Sequence, residues 1–164
     1  MATRAIDWIE PDHNPAGAVY GTLLIGAVLA TESVRRETLL ETLGATALVL
    51  VLYWLSHSYA ETLGHRLEQQ IPVSAAGFLQ SLVDDWAIIR GATVPILALL
   101  IASAAGASLA TAVLVAVWVS AANIVAFELV AGIRAELSGA ELITQVCAGA
   151  LMGLAIIALR ALLH

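Results

Sequence analysis

The residues in this chain best suited to chemistry are a stripe: Tyr53, His57, Glu61 and His65, each four positions from the next. On a helix that spacing stacks all four on one face. An imidazole and a carboxylate one turn apart can share a proton or ligate one transition-metal ion. The pattern therefore predicts a proton-handling or metal-ligating surface. His57, Glu61 and His65 are the metal candidates, and a divalent or transition-metal ion is the one cofactor the sequence invites. Further ligands would have to come from Asp84, Asp85 or Glu128 on neighbouring helices. The plainer reading treats Glu61 and His65 as interfacial polar surface, with His57 set deeper.

Glu128 is the second candidate, because it sits in an otherwise apolar segment. A carboxylate inside hydrocarbon costs on the order of 3 kcal/mol, so it normally faces the interior of a bundle and finds a partner. Arg90 is the predicted partner, forming a structural ion pair with Glu128. Asn123, five residues earlier, either lines the same interior or bridges two helices by hydrogen bonds. Tyr53, His57, Glu61, Asn123 and Glu128 together make the predicted ion or proton path. Enzymatic function is not expected. The chain has no His-Glu-x-x-His, no phosphate-cradling glycine loop, no Gly-x-Ser-x-Gly and no cysteine pair, Cys147 being alone.

The elements that must position these groups follow from composition. The 164 residues are 60% hydrophobic and 12% charged, with a mean hydropathy of +0.91. Soluble domains carry about twice that charge, so this chain is suited to a lipid bilayer. Thirteen acids face seven arginines and no lysine, a balance that argues against nucleic acid and suits protons or cations. The lysine-free, alanine- and valine-rich composition points to a bacterium with a GC-rich genome.

Uncharged runs cover residues 14–31, 42–60, 91–127 and 142–159. A span needs about 20 residues, so the third run holds two. They are joined by a tight turn within Ser103-Ala-Ala-Gly-Ala-Ser108; one long helix or a re-entrant segment is the competing reading. The predicted fold is an all-α, polytopic membrane bundle, one domain over 1–164, with five transmembrane helices at 14–31, 40–60, 88–105, 109–131 and 142–161. Acids Asp7, Glu10 and Asp12 ahead of the first span argue against a cleaved signal peptide.

Residues 74–86 predict an interfacial amphipathic helix feeding the third span. Phe78, Leu79, Leu82, Val83 and Trp86 form its apolar face, opposite Gln80, Ser81, Asp84 and Asp85. Trp8 and Trp86 read as interfacial anchors. Small residues four apart (Gly17 and Gly21, Ala98 and Ala102, Gly149 and Gly153) permit close helix approach, either inside one bundle or between copies in a homo-oligomer. Pro95 leaves the Gly91 carbonyl without its usual backbone donor.

Five spans bring most of the unusual polar residues to one membrane face. The weak arginine bias favours a cytoplasmic N-terminus in a multi-pass plasma-membrane protein. The functional expectation is a small channel or carrier for protons or cations. The alternative is a non-transporting membrane subunit or regulatory scaffold.

Overall fold

A computed structural model describes residues 14–32, 38–69 and 74–163, almost all of them helical. Trp8, Asp12 and His13 lie outside the described residues. The first helix, α1 (Pro15–Thr31), opens with Pro15 at its first turn and is capped by Asn14, whose side chain accepts the Gly17 amide at 2.8 Å. Helix α2 (Leu39–Gln69) starts at a reciprocal cap. Glu41 accepts the Thr38 amide at 2.7 Å, and the Thr38 hydroxyl accepts the Glu41 amide at 3.3 Å. Helix α3 (Ala75–Asp84) is capped by Ser74 and runs, with a break at Asp85, into α4 (Trp86–Ala104). Helices α5 (Leu109–Arg134) and α6 (Gly139–Leu163) complete the described residues, and before α6 the Glu141 carboxylate accepts from both the amide and the hydroxyl of Ser138, at 2.9 and 2.7 Å.

Four segments are long and apolar enough to cross a membrane: Leu39–Glu68, Ala75–Ala104, Leu109–Arg134 and Gly139–Leu163. Helix α1, with 17 residues, is shorter and sits at the low end of the usual range. The protein is an all-helical, multi-pass membrane bundle. The long apolar run divides where the small-residue stretch falls. There α4 ends with Gly106 at φ +87, the Gly106 amide bonds the Ser103 carbonyl, and the Ala107 amide bonds the Ala102 carbonyl. The α5–α6 turn repeats this geometry, with Glu136 in the left-handed position at φ 51.

Helix α1 is the centre of the packing. It lies against α4 most extensively, then α5 and α6, and touches its sequence neighbour α2 least. Ile25 and Leu29 of α1 meet Ile88 and Leu99 of α4 and Val113, Val117 and Ile124 of α5 in a buried apolar core. At the α1–α4 crossing the Gly21 position abuts the Ile88 carbonyl and the Gly91 position abuts the Ala18 carbonyl, so neither could hold a Cβ. On α6, Gly149 and Gly153 are filled by Glu128 and Ala121 of α5. Both glycine pairs are thus used inside the chain. Helix α2 stands apart, packed mainly on α3 through a Trp54 indole donating to the Leu82 carbonyl at 3.1 Å and a Thr62 hydroxyl bonded to Ser81 at 3.0 Å. Arg160 near the end of α6 reaches back to the Glu32 carbonyl at 2.8 Å, closing the end of α1.

Candidate functional site

Asp85 stands at the break between α3 and α4, where the helical ladder is already interrupted. Its side chain is 1% exposed. One oxygen accepts from the Asn14 amide at 3.0 Å and the other from the Ser58 hydroxyl at 2.7 Å. Both donors are neutral, so the carboxylate is hydrogen-bonded without being matched by a fixed positive charge. The nearest basic group is His57, whose Nε2 lies 3.9 Å from Asp85 Oδ1.

Three elements make this arrangement. The cap of α1 supplies Asn14, α2 supplies His57, Ser58 and Glu61, and the α3–α4 junction supplies the acid. His57 is one-third exposed and sits between two tyrosine rings. Tyr53 stacks on it at a 5.9 Å centroid separation and Tyr20 tilts against it at 6.0 Å. Ligand atoms of His57, Glu61 and Asp85 all lie within 4.8 Å of one another. One imidazole with two carboxylates suits zinc, manganese or ferrous iron better than magnesium or calcium, which favour oxygen alone.

A cavity of about 520 Å³ opens beside the cluster, lined by Asn14, Glu61, His65, Ser81, Asp84 and Asp85. Helix α3 forms one wall with its polar residues. Its apolar residues Leu79, Leu82 and Val83 line a separate groove of about 620 Å³ with Trp54, Trp86 and Arg90. The amphipathic pattern of this short helix therefore partitions two unlike cavities.

Comparison with known proteins identifies no relative: no family model, curated protein or solved structure matches the chain.

The residues singled out from sequence fall into three places. Tyr53, His57 and Glu61 come together with Asp85. His65 reaches Glu61 at 3.9 Å, but both are exposed, and the compact ligand group takes Asp85 where the sequence suggested His65. Asn123 lies elsewhere, donating at 3.1 Å to the Thr22 hydroxyl on α1. Glu128 turns towards α6 and accepts from the Gln145 amide at 2.8 Å.

The expected Arg90–Glu128 ion pair is not formed. Arg90 faces α2 and α3 beside Trp54 and Trp86, whereas Glu128 faces α6, so the two point away from a common contact. Ser58 and Asn14 are the site residues the sequence did not single out. Ser58 lies next to His57 on the same helix face as Thr62, and Asn14 precedes a proline. Those are cap and packing signals, and they gave no hint of an acid 71 residues away from Asn14.

Proposed function

We propose that the protein is a carrier or channel for protons or cations in the bacterial plasma membrane, loaded at the His57–Glu61–Asp85 cluster. The observation behind this reading is the burial of Asp85 beside an imidazole and a second carboxylate, at the edge of an acidic cavity. A buried carboxylate held by neutral donors gains stabilisation from any proton or cation that reaches it. His57, partly exposed between Tyr20 and Tyr53, is placed to pass a proton or complete a metal shell. A cytoplasmic N-terminus would turn the cavity towards the cytoplasm.

Beyond the cluster the core is mostly apolar, with Ile25, Leu29, Leu99, Val113 and Val117 fully buried and uncharged hydroxyls such as Thr22 and Ser120 among them. That favours a carrier, or a path formed between copies, over an open pore through one chain. Helix α2, loosely held and carrying the imidazole, is the element whose displacement would expose Asp85 to the other side.

Flux into proteoliposomes containing the purified chain tests the proposal. Proton or cation uptake above that of empty liposomes is expected, reduced strongly by His57→Ala and by Asp85→Asn. No uptake by the wild type, or uptake unchanged in both variants, overturns it. The second reading, a non-transporting subunit, draws support from the same apolar core and from the exposed apolar faces of α2 and α6, including Leu48, Leu52, Leu151 and Leu154. Absence of flux together with co-purification of a defined membrane partner would establish that reading.

A further inference from the structure

Arg90 poses a problem that the described residues do not solve. It lies one helical turn inside Trp86 on a membrane-crossing segment. Its Nε is buried and has no hydrogen-bond partner, and no carboxylate among the described residues lies within ion-pair distance of it. A guanidinium at this depth is retained in membranes only where an anion or the headgroup layer satisfies it. The groove that holds it is otherwise apolar: Trp54 and Trp86 meet edge to face at 5.4 Å, and Leu79, Leu82 and Val83 of α3 form the opposing wall. Leu79, Val83 and Trp86 are substantially exposed, so the groove opens outward.

We propose that this groove binds one anionic phospholipid, its acyl chain along Trp54, Leu79, Leu82, Val83 and Trp86, and its phosphodiester on Arg90. The two halves of the ligand match the two halves of the groove. Alkyl chain covers a wall of tryptophan, leucine and valine side chains, and phosphate supplies the acceptor that the guanidinium lacks. Trp86 fixes the level of the membrane interface, from which an arginine one turn deeper reaches the phosphate layer. A net-negative lipid is favoured over a zwitterionic one because the latter's own ammonium competes with Arg90 for its phosphate. The acids Asp84 and Asp85 do not oppose this, because they line the cavity on the other side of α3. This site is independent of the transport reading and stands or falls without it.

Tryptophan fluorescence of the full chain in nanodiscs tests it. In a Trp8→Phe, Trp118→Phe background the remaining emitters are Trp54 and Trp86, both in the groove. Brominated phosphatidylglycerol should quench them at lower mole fraction than brominated phosphatidylcholine, by about fivefold, the worth of one cation at a membrane surface. Arg90→Gln should bring the two lipids level while leaving quenching by phosphatidylcholine unchanged, which also shows that the groove remains intact. Arg90→Lys should keep a reduced preference. Equal quenching by both lipids in the starting protein, or a preference that survives in Arg90→Gln, overturns the proposal. So does occlusion of both tryptophans from either lipid, since the groove would then be filled by protein.

Discussion

The hydroxyl of Thr22 lies 2.8 Å from the carbonyl oxygen of Gly91 and donates to it across the α1–α4 contact. That carbonyl is the one Pro95 deprives of its backbone N–H four residues on. The proline therefore does not leave a loose end in the bundle. It creates a fixed acceptor that α1 occupies, and the same hydroxyl then accepts from Asn123 of α5 at 3.1 Å, joining three helices through one oxygen.

Thr22→Val should accordingly destabilise the protein by about 1–2 kcal/mol, because it strands both the Gly91 carbonyl and the Asn123 amide. In a Pro95→Ala background the restored backbone N–H can serve Gly91, and the cost of Thr22→Val should fall to about half. A double-mutant cycle on unfolding in detergent checks this. Additive effects of the two substitutions would show that the hydroxyl and the proline are unconnected.

The glycines should separate into two groups. Gly21→Ala and Gly91→Ala place a Cβ against the Ile88 and Ala18 carbonyls and should cost about 1–3 kcal/mol through forced separation of α1 from α4. Gly44→Ala and Gly64→Ala have open space around the new methyl and should stabilise α2 by about 0.5–1 kcal/mol through helix propensity. Melting temperatures of the four variants provide the measurement.

Glu136 occupies a left-handed backbone position that glycine fills at the matching turn, Gly106. Glu136→Gly should stabilise the α5–α6 turn by about 1 kcal/mol and raise the melting temperature. A decrease would indicate that its side chain contributes more than its backbone strain costs.

Glu128 should behave as a structural acceptor. Glu128→Gln retains an oxygen for the Gln145 amide and should change stability by less than about 0.5 kcal/mol. Glu128→Leu leaves that amide only the long 3.4 Å bond to the backbone carbonyl at position 128 and should cost about 1 kcal/mol. Chemical unfolding of the two variants distinguishes them, and equal losses would assign Glu128 something beyond this bond.

Ser58 touches Asp85 without lining the acidic cavity. Ser58→Ala should therefore weaken binding of zinc or manganese about tenfold by loosening the carboxylate, while His57→Ala removes a ligand and weakens it further. Calorimetric titration reads both, and identical affinities for wild type and the two variants would remove metal from the site's repertoire.

Much of this architecture was legible in the residues because the bilayer imposes it. Uncharged runs marked the helices, and the Ser103–Ser108 stretch marked the turn between α4 and α5. The caps at Thr38–Glu41 and Ser138–Glu141 carry a Thr/Ser-x-x-Glu pattern that marks where α2 and α6 begin. Part of the site was legible too, since the four-residue spacing of His57 and Glu61 follows from helix geometry. What the sequence could not supply was rotation of one helix about its axis relative to another. Arg90 and Glu128 are both rare charges on adjacent helices, and the sequence alone pairs them. Two apolar helices can bury almost any face, and the α1–α4 and α5–α6 glycine contacts turned these two charges to opposite sides. Asp85 joined His57 for the same kind of reason: the break after Asp84, invisible to hydropathy, aims it inward.

The order in which the helices meet carries a consequence for how the chain is made. Of the described helices α1 is synthesised before the others, yet its principal partners α4, α5 and α6 follow only after α2 and α3. Until they arrive, the Thr22 hydroxyl has an acceptor within its own helix, the Ala18 carbonyl 3.0 Å away. Assembly then amounts to α4 docking onto a helix already in place, when Gly21 and Gly91 interlock and the Thr22 hydroxyl also reaches the Gly91 carbonyl. The acidic cavity is completed in the same step, since Asn14 rides at the head of α1 and Asp85 at the head of α4.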